Sequence, residues 1–190
     1  MIRAFIAIEL QNQHTIENIH AFSKRLKLNQ GKLKVVESEN LHLTLKFLGN
    51  ITESLAPKIY SLIQEEINIS LFKGKSLNYT LKGVGQFHNF SVIWITLLGD
   101  IAFLQNIKNR LEEKLHQNLA IPKDKRREFK PHLTIARLNK ERINYKTFDV
   151  FKNLLHENKD KEFGNFEIDK VFLKKSTLTP NGPIYTNLVF

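Results

Sequence analysis

The tetrapeptide His42-Leu43-Thr44-Leu45 returns almost unchanged as His132-Leu133-Thr134-Ile135, and this repeat constrains the fold more than any other feature of the 190-residue chain. Both copies fall in stretches that read as β-strands. Residues two apart on a strand share a face, so each copy presents an imidazole beside a hydroxyl while its leucine turns into the core. If two halves pack about a pseudo-twofold axis, the copies meet at a cleft and surround one ligand with two imidazoles and two hydroxyls.

The flanking segments read as one scheme used twice. Ile2 to Leu10 is a continuous run rich in β-branched and aromatic residues, which predicts a buried strand. Ile16, Ile19, Phe22 and Leu26 follow at helical spacing. Leu33 to Val36 and Leu41 to Leu48 are extended, and Thr52 is placed as the N-cap of a helix that buries Leu55, Ile59, Leu62, Ile63 and Ile67. The second half offers strands at Leu77 to Val84 and Val92 to Leu98, then a helix capped by Asp100 that carries Ile101, Leu104, Ile107, Leu111 and Leu115. A basic loop, Lys123 to Lys130, leads to a strand at His132 to Leu138. A helix near Phe148 to Leu155 and strands at Val171 to Thr177 and Ile184 to Phe190 end the chain, with Asn181-Gly182-Pro183 as a hairpin turn. No linker or low-complexity tract separates the halves, so the expectation is an α+β fold forming one domain over residues 1–190.

The net charge of +10 raises the standing of polyanionic partners without choosing among them. The absence of cysteine excludes disulfides, thiol catalysis and zinc sites built on thiolates. The opening apolar run is interrupted at Glu9, too early for a signal peptide or a membrane span, so a cytoplasmic protein without a membrane partner is expected. No protein partner is implied, and a monomer is expected.

A cleft with two imidazoles and two hydroxyls suits a phosphodiester. One neutral imidazole takes a proton from the attacking group, one imidazolium gives a proton to the leaving oxygen, and the hydroxyls hold the non-bridging oxygens as charge builds. Histidine fits because its ordinary pKa of about 6.5 populates both forms near neutral pH. The chemistry needs no cofactor, and no spacing of histidines or carboxylates suggests a metal site. Arg137 is a further phosphate candidate, although strict alternation points it away from the motif's face unless the strand bulges. Arg126, Arg127 and Lys130 are candidate contacts for an RNA backbone, with a solvated basic loop as the equal alternative. Phe47 and Phe129 offer faces for base stacking, against a default of core packing.

The paired motifs resemble those of the two-histidine phosphoesterase superfamily, and within it the RNA 2′,3′-cyclic phosphodiesterases, also described as RNA 2′,5′ ligase-like proteins. The resemblance spans Arg3-Ala4-Phe5-Ile6-Ala7-Ile8, Leu41 to Gly49, Gly83 to Phe87, Pro131 to Arg137 and a segment from Ser176 to Tyr185. One departure is His88, where relatives often carry proline. The resemblance implies a bilobal fold of two antiparallel sheets related by a pseudo-twofold axis, with helices on the outer faces and a central cleft. It also implies hydrolysis of an RNA 2′,3′-cyclic phosphate to a 2′-phosphomonoester, with His42 as proton donor to the 3′-oxygen, His132 as the base that activates water, and Thr44 and Thr134 on the phosphate. Other readings stay open: 2′,5′ ligation, a phosphodiesterase for a small cyclic nucleotide or ADP-ribose cyclic phosphate, and a non-catalytic module that binds RNA ends.

Overall fold

The computed structural model describes residues 1–125, 129–180 and 182–190. Arg126, Arg127 and Asn181, named above as candidate RNA contacts and turn residue, lie outside the described residues. The elements run β1 (Ile2–Glu9), α1 (Gln13–Asn29), β2 (Lys34–Val35), β3 (His42–Ile51), α2 (Ala56–Ile63), β4 (Leu77–Phe87), β5 (Val92–Leu98), α3 (Ile101–Leu119), β6 (His132–Arg137), α4 (Phe148–Glu157), β7 (Glu162–Ile168), β8 (Phe172–Thr179) and β9 (Gly182–Asn187).

Two antiparallel four-stranded halves, β7-β4-β5-β6 and β3-β1-β8-β9, abut at β3 and β6 and so form one sheet, with the short β2 added alongside β6. Each half contains a strand, a helix and an antiparallel return strand that carries the motif: β1, α1 and β3 in one, β5, α3 and β6 in the other. This is the duplication expected from the sequence. Alternation along the strands divides the sheet into two faces. Ile6, Ile8, Leu43, Leu45, Ile93, Ile95, Leu133 and Ile135 face a core shared with Ile19, Phe22 and Leu26 of α1 and Leu104, Ile107, Leu111 and Leu115 of α3. The helices therefore cover one face and leave the other to the motif side chains.

Several local readings change. Thr52 does not cap an α-helix: its hydroxyl pairs with Ser54, a 3₁₀ turn occupies Glu53–Leu55, and α2 opens at Ala56 with Pro57 in its first turn. The same helical path then continues through wider π turns, Gln64–Phe72, and buries Ile67 and Phe72. Asp100 does cap α3, accepting from the Phe103 amide at 2.9 Å. β7 was not read from the sequence because a register shift against β4 brings Phe163 and Phe166, three apart, both into the core. That spacing imitates a helix more than a strand.

At the β4–β5 turn, His88, Asn89 and Phe90 all take positive φ, at 53°, 52° and 67°. Proline is locked near −65°, so the histidine found where relatives often carry proline sits in a loop conformation that proline cannot adopt. Among the described residues no helix is long and apolar enough to cross a membrane.

Candidate active site

The two motif strands meet through a single residue pair, Leu43 with Leu133. Because the strands are antiparallel, this pairing sets His42 abreast of Thr134 and Thr44 abreast of His132. The motifs thus lie side by side, and each imidazole faces the other copy's hydroxyl.

Both strands bulge at the same place. The β1–β3 register skips Leu45, and the β5–β6 register skips Ile135. Leu45 and Lys46 are consequently both buried, as are Ile135 and Ala136, and the next residue in each strand, Phe47 or Arg137, is exposed. The extra residue reverses the alternation and returns that next side chain to the motif's face. Arg137, which strict alternation pointed away, therefore belongs to the site face, and its charge reaches His42 across the strand boundary. The halves differ at this position, since Phe47 holds the place equivalent to Arg137. Phe47 is 59% exposed, which sets aside core packing for its ring.

The imidazoles are held in matching ways. His42 Nδ1 lies 2.6 Å from the Asn40 carbonyl, and His132 Nδ1 lies 2.7 Å from the Lys130 carbonyl. A carbonyl only accepts, so Nδ1 carries the proton in both rings, and in the neutral form the basic lone pair sits on Nε2. Lys130 thus meets the site through its backbone, a role the sequence reading did not assign.

Each ring is also braced by aromatics. His42 packs against Phe5 at 5.0 Å and edge-on to Tyr185 at 5.3 Å between ring centres. His132 stands perpendicular to Phe87 at 5.1 Å, with Trp94 at 6.2 Å. The Trp94 indole occupies the space over Gly85, where any Cβ would overlap the ring, so glycine is required there. A cavity of about 270 Å³ beside His132 is lined by Phe87, Trp94, Thr96, Phe129 and Pro131 among others. The sequence reading did not single out Phe5, Tyr185, Phe87 or Trp94, which come from four different strands. Among the described residues no group of three or more histidine, aspartate or glutamate side chains is placed to hold a metal ion.

Burial dominates the electrostatics of His42 and pulls its pKa down to about 4, helped by the charges of Lys174 and Arg137 and opposed by the Asn40 carbonyl and Glu9. Lys174 is itself buried and bonds to Glu9 and to Asn187 Oδ1, the latter at 2.9 Å. The unfolded chain takes up the His42 proton near pH 6.5 and the folded chain only near pH 4. Stability is therefore lost as pH falls through that window, by about 3 kcal/mol at most. Urea unfolding of wild type and His42→Gln at pH 7 and pH 4.5 checks this: the wild type is expected to lose more on acidification, and an equal loss in both proteins would show that the ring is not desolvated.

Residues 4–186 match the AKAP7 2′5′ RNA ligase-like domain family. The chain is 37% identical to an RNA 2′,3′-cyclic phosphodiesterase of Methanocaldococcus jannaschii, over 97% of this chain and 96% of the relative. It is 34% identical to the protein of the same name from Archaeoglobus fulgidus, over 98% of each chain. The fold superposes on that of LigT from E. coli in its apo form with a TM-score of 0.71 at 23% identity, covering 99% of this chain and 95% of the other. Protein TT0787 of Thermus thermophilus superposes with a TM-score of 0.70 at 25% identity, covering 99% and 96%. With both His-x-Thr motifs abutting in one sheet and the match running almost end to end, this chain belongs to the 2′5′ RNA ligase-like family of two-histidine phosphoesterases.

Proposed function

We propose that the chain is an RNA 2′,3′-cyclic phosphodiesterase that hydrolyses the cyclic end to a 2′-phosphomonoester, acting as a cytoplasmic monomer. The observation that carries this reading is the pair of imidazoles on abutting strands, each with Nδ1 tied to a carbonyl two residues earlier. A matched proton donor and acceptor serves turnover and adds nothing to mere binding.

In the proposed reaction the cyclic phosphate lies between the two Nε2 atoms. His132 takes a proton from water as the water attacks phosphorus, and His42 gives its proton to the departing 3′-oxygen. The Thr44 and Thr134 hydroxyls, with Arg137, donate to the non-bridging oxygens as negative charge grows. Burial keeps His42 neutral in the empty site. An anionic phosphate brought against Nε2 favours the imidazolium, so substrate binding itself loads the donor. Phe47, exposed at the rim, offers a face for a base.

The test is incubation of the purified protein, in excess chelator, with a short RNA ending in a 2′,3′-cyclic phosphate, followed by separation of 2′- and 3′-phosphate products. Formation of the 2′-phosphate is expected. The individual roles separate with a substrate whose leaving 3′-oxygen is replaced by sulfur, which departs without protonation. That substrate is expected to restore much of the lost rate to His42→Ala and none to His132→Ala; the reverse pattern exchanges the roles.

A further inference from the structure

Arg3 takes no part in the reaction as proposed, yet the strand registers bring it to the site's face. Along β1, Ala4, Ile6 and Ile8 enter the core, so Arg3, Phe5, Ala7 and Glu9 share the face of His42, which pairs with Glu9. On β8 and β9, Ser176 pairs with Tyr185. Ala4 pairs with Lys175, so Arg3, Ser176 and Tyr185 occupy one row across three adjacent strands. Tyr185 leans from this row over Phe5, at 4.9 Å, to the edge of His42. The charges of Arg137 and Arg3 both reach its phenol and pull against the upward push of burial. Arg3 is exposed, and among the described residues neither Arg3 nor Arg137 forms a salt bridge.

We infer that Arg3, Ser176 and Tyr185 form a second anion subsite, and that it takes the phosphate on the 5′ side of the nucleoside that bears the cyclic phosphate. This rests on the proposed reading, in which His42 protonates a ribose oxygen and water enters beside His132. The ribose then lies on the β3-β1-β8-β9 half, and the preceding phosphate follows it across that half's face, toward Arg3. A guanidinium with two neighbouring hydroxyls supplies several donors to a phosphate, and the guanidinium stays charged at every working pH. Arg137 remains with the reacting phosphate, and Arg3 reads whether a chain continues behind it.

The experiment compares wild type with Arg3→Gln on three substrates: a nucleoside 2′,3′-cyclic phosphate, the same compound carrying a 5′-phosphate, and a dinucleotide ending in the cyclic phosphate. Arg3→Gln is expected to raise KM about tenfold for the two substrates that carry the extra phosphate. It is expected to leave kcat and the KM of the bare nucleoside cyclic phosphate unchanged, with the melting temperature unaltered because Arg3 is exposed. Arg3→Lys, which keeps the charge, is expected to recover part of the loss. A KM change equal for all three substrates, or none for any, overturns the subsite while turnover by the wild type upholds the hydrolase reading. A wild type inactive on every substrate overturns that reading and the subsite with it.

Discussion

His42→Ala and His132→Ala are each expected to lower kcat by roughly 10²–10⁴-fold on an RNA with a 2′,3′-cyclic phosphate end, the range associated with a positioned acid or base. Each variant removes an Nε2 that its ring neighbours do not replace, because Phe5 and Phe87 carry no transferable proton and burial pushes the phenol pKa of Tyr185 up. The double variant is expected to be little worse than either single one, since a donor and an acceptor that act in one step lose their benefit together. In the proposed reaction the Thr44 and Thr134 hydroxyls would give hydrogen bonds rather than transfer protons, so alanine at either position is expected to cost less. Steady-state rates, with the near-ultraviolet spectrum as a check on folding, decide the matter. Turnover close to wild type in either histidine variant would remove that residue from the chemistry.

Glu112→Leu is expected to destabilise the protein by about 3–5 kcal/mol, the largest effect on stability foreseen here. The reason lies under the bulge of β3. Turned inward there, Lys46 is only 2% exposed, and its Nζ donates to Glu112 Oε2 at 2.8 Å and to the Pro122 carbonyl at 2.9 Å. Lys108 of α3 donates to Glu112 Oε1 at 3.1 Å, to Asp124 Oδ2 at 2.9 Å and to the Leu45 carbonyl at 3.1 Å. Lys46 also reaches Asp124 at 3.4 Å, so among the described residues two ammonium and two carboxylate groups alternate around a ring. Removing Glu112 leaves two desolvated cations facing one anion, whereas Lys46→Met with Glu112→Leu leaves the Lys108–Asp124 pair intact. The double variant is therefore expected to regain most of the lost stability. Urea unfolding at constant m-value measures both. A loss below about 1 kcal/mol for Glu112→Leu would mean the ring is hydrated and behaves like a surface ion pair.

This ring also shows where sequence reading runs out. Lys46, Lys108, Glu112 and Asp124 look like ordinary surface charges, because in an unbulged strand Lys46 points to the face opposite Leu45. One inserted residue reverses that, and the bulge has no local signature in Thr44-Leu45-Lys46. The same blindness explains Arg137, which alternation misdirected and the bulge at Ile135 restored to the site face. It explains β7 as well, whose register shift disguised a strand as helical spacing.

What could be read directly were features whose cause is local. The period of two placed both motifs on strands, the period of 3.6 placed α1 and α3, and Asp100 announced the start of α3. The repeat of His-Leu-Thr then named four side chains that share a face in pairs. By itself, therefore, the sequence determined the class of fold, its internal duplication and the histidines and threonines on offer, since each follows from dihedral periodicity over a few residues. Only the tertiary structure decided that Leu43 meets Leu133, that His42 stands beside Thr134, that Tyr185 reaches His42 from a strand far along the chain, and that Lys46 is buried. Those outcomes depend on strand order, register and bulges, which are settled by packing between segments far apart in the chain.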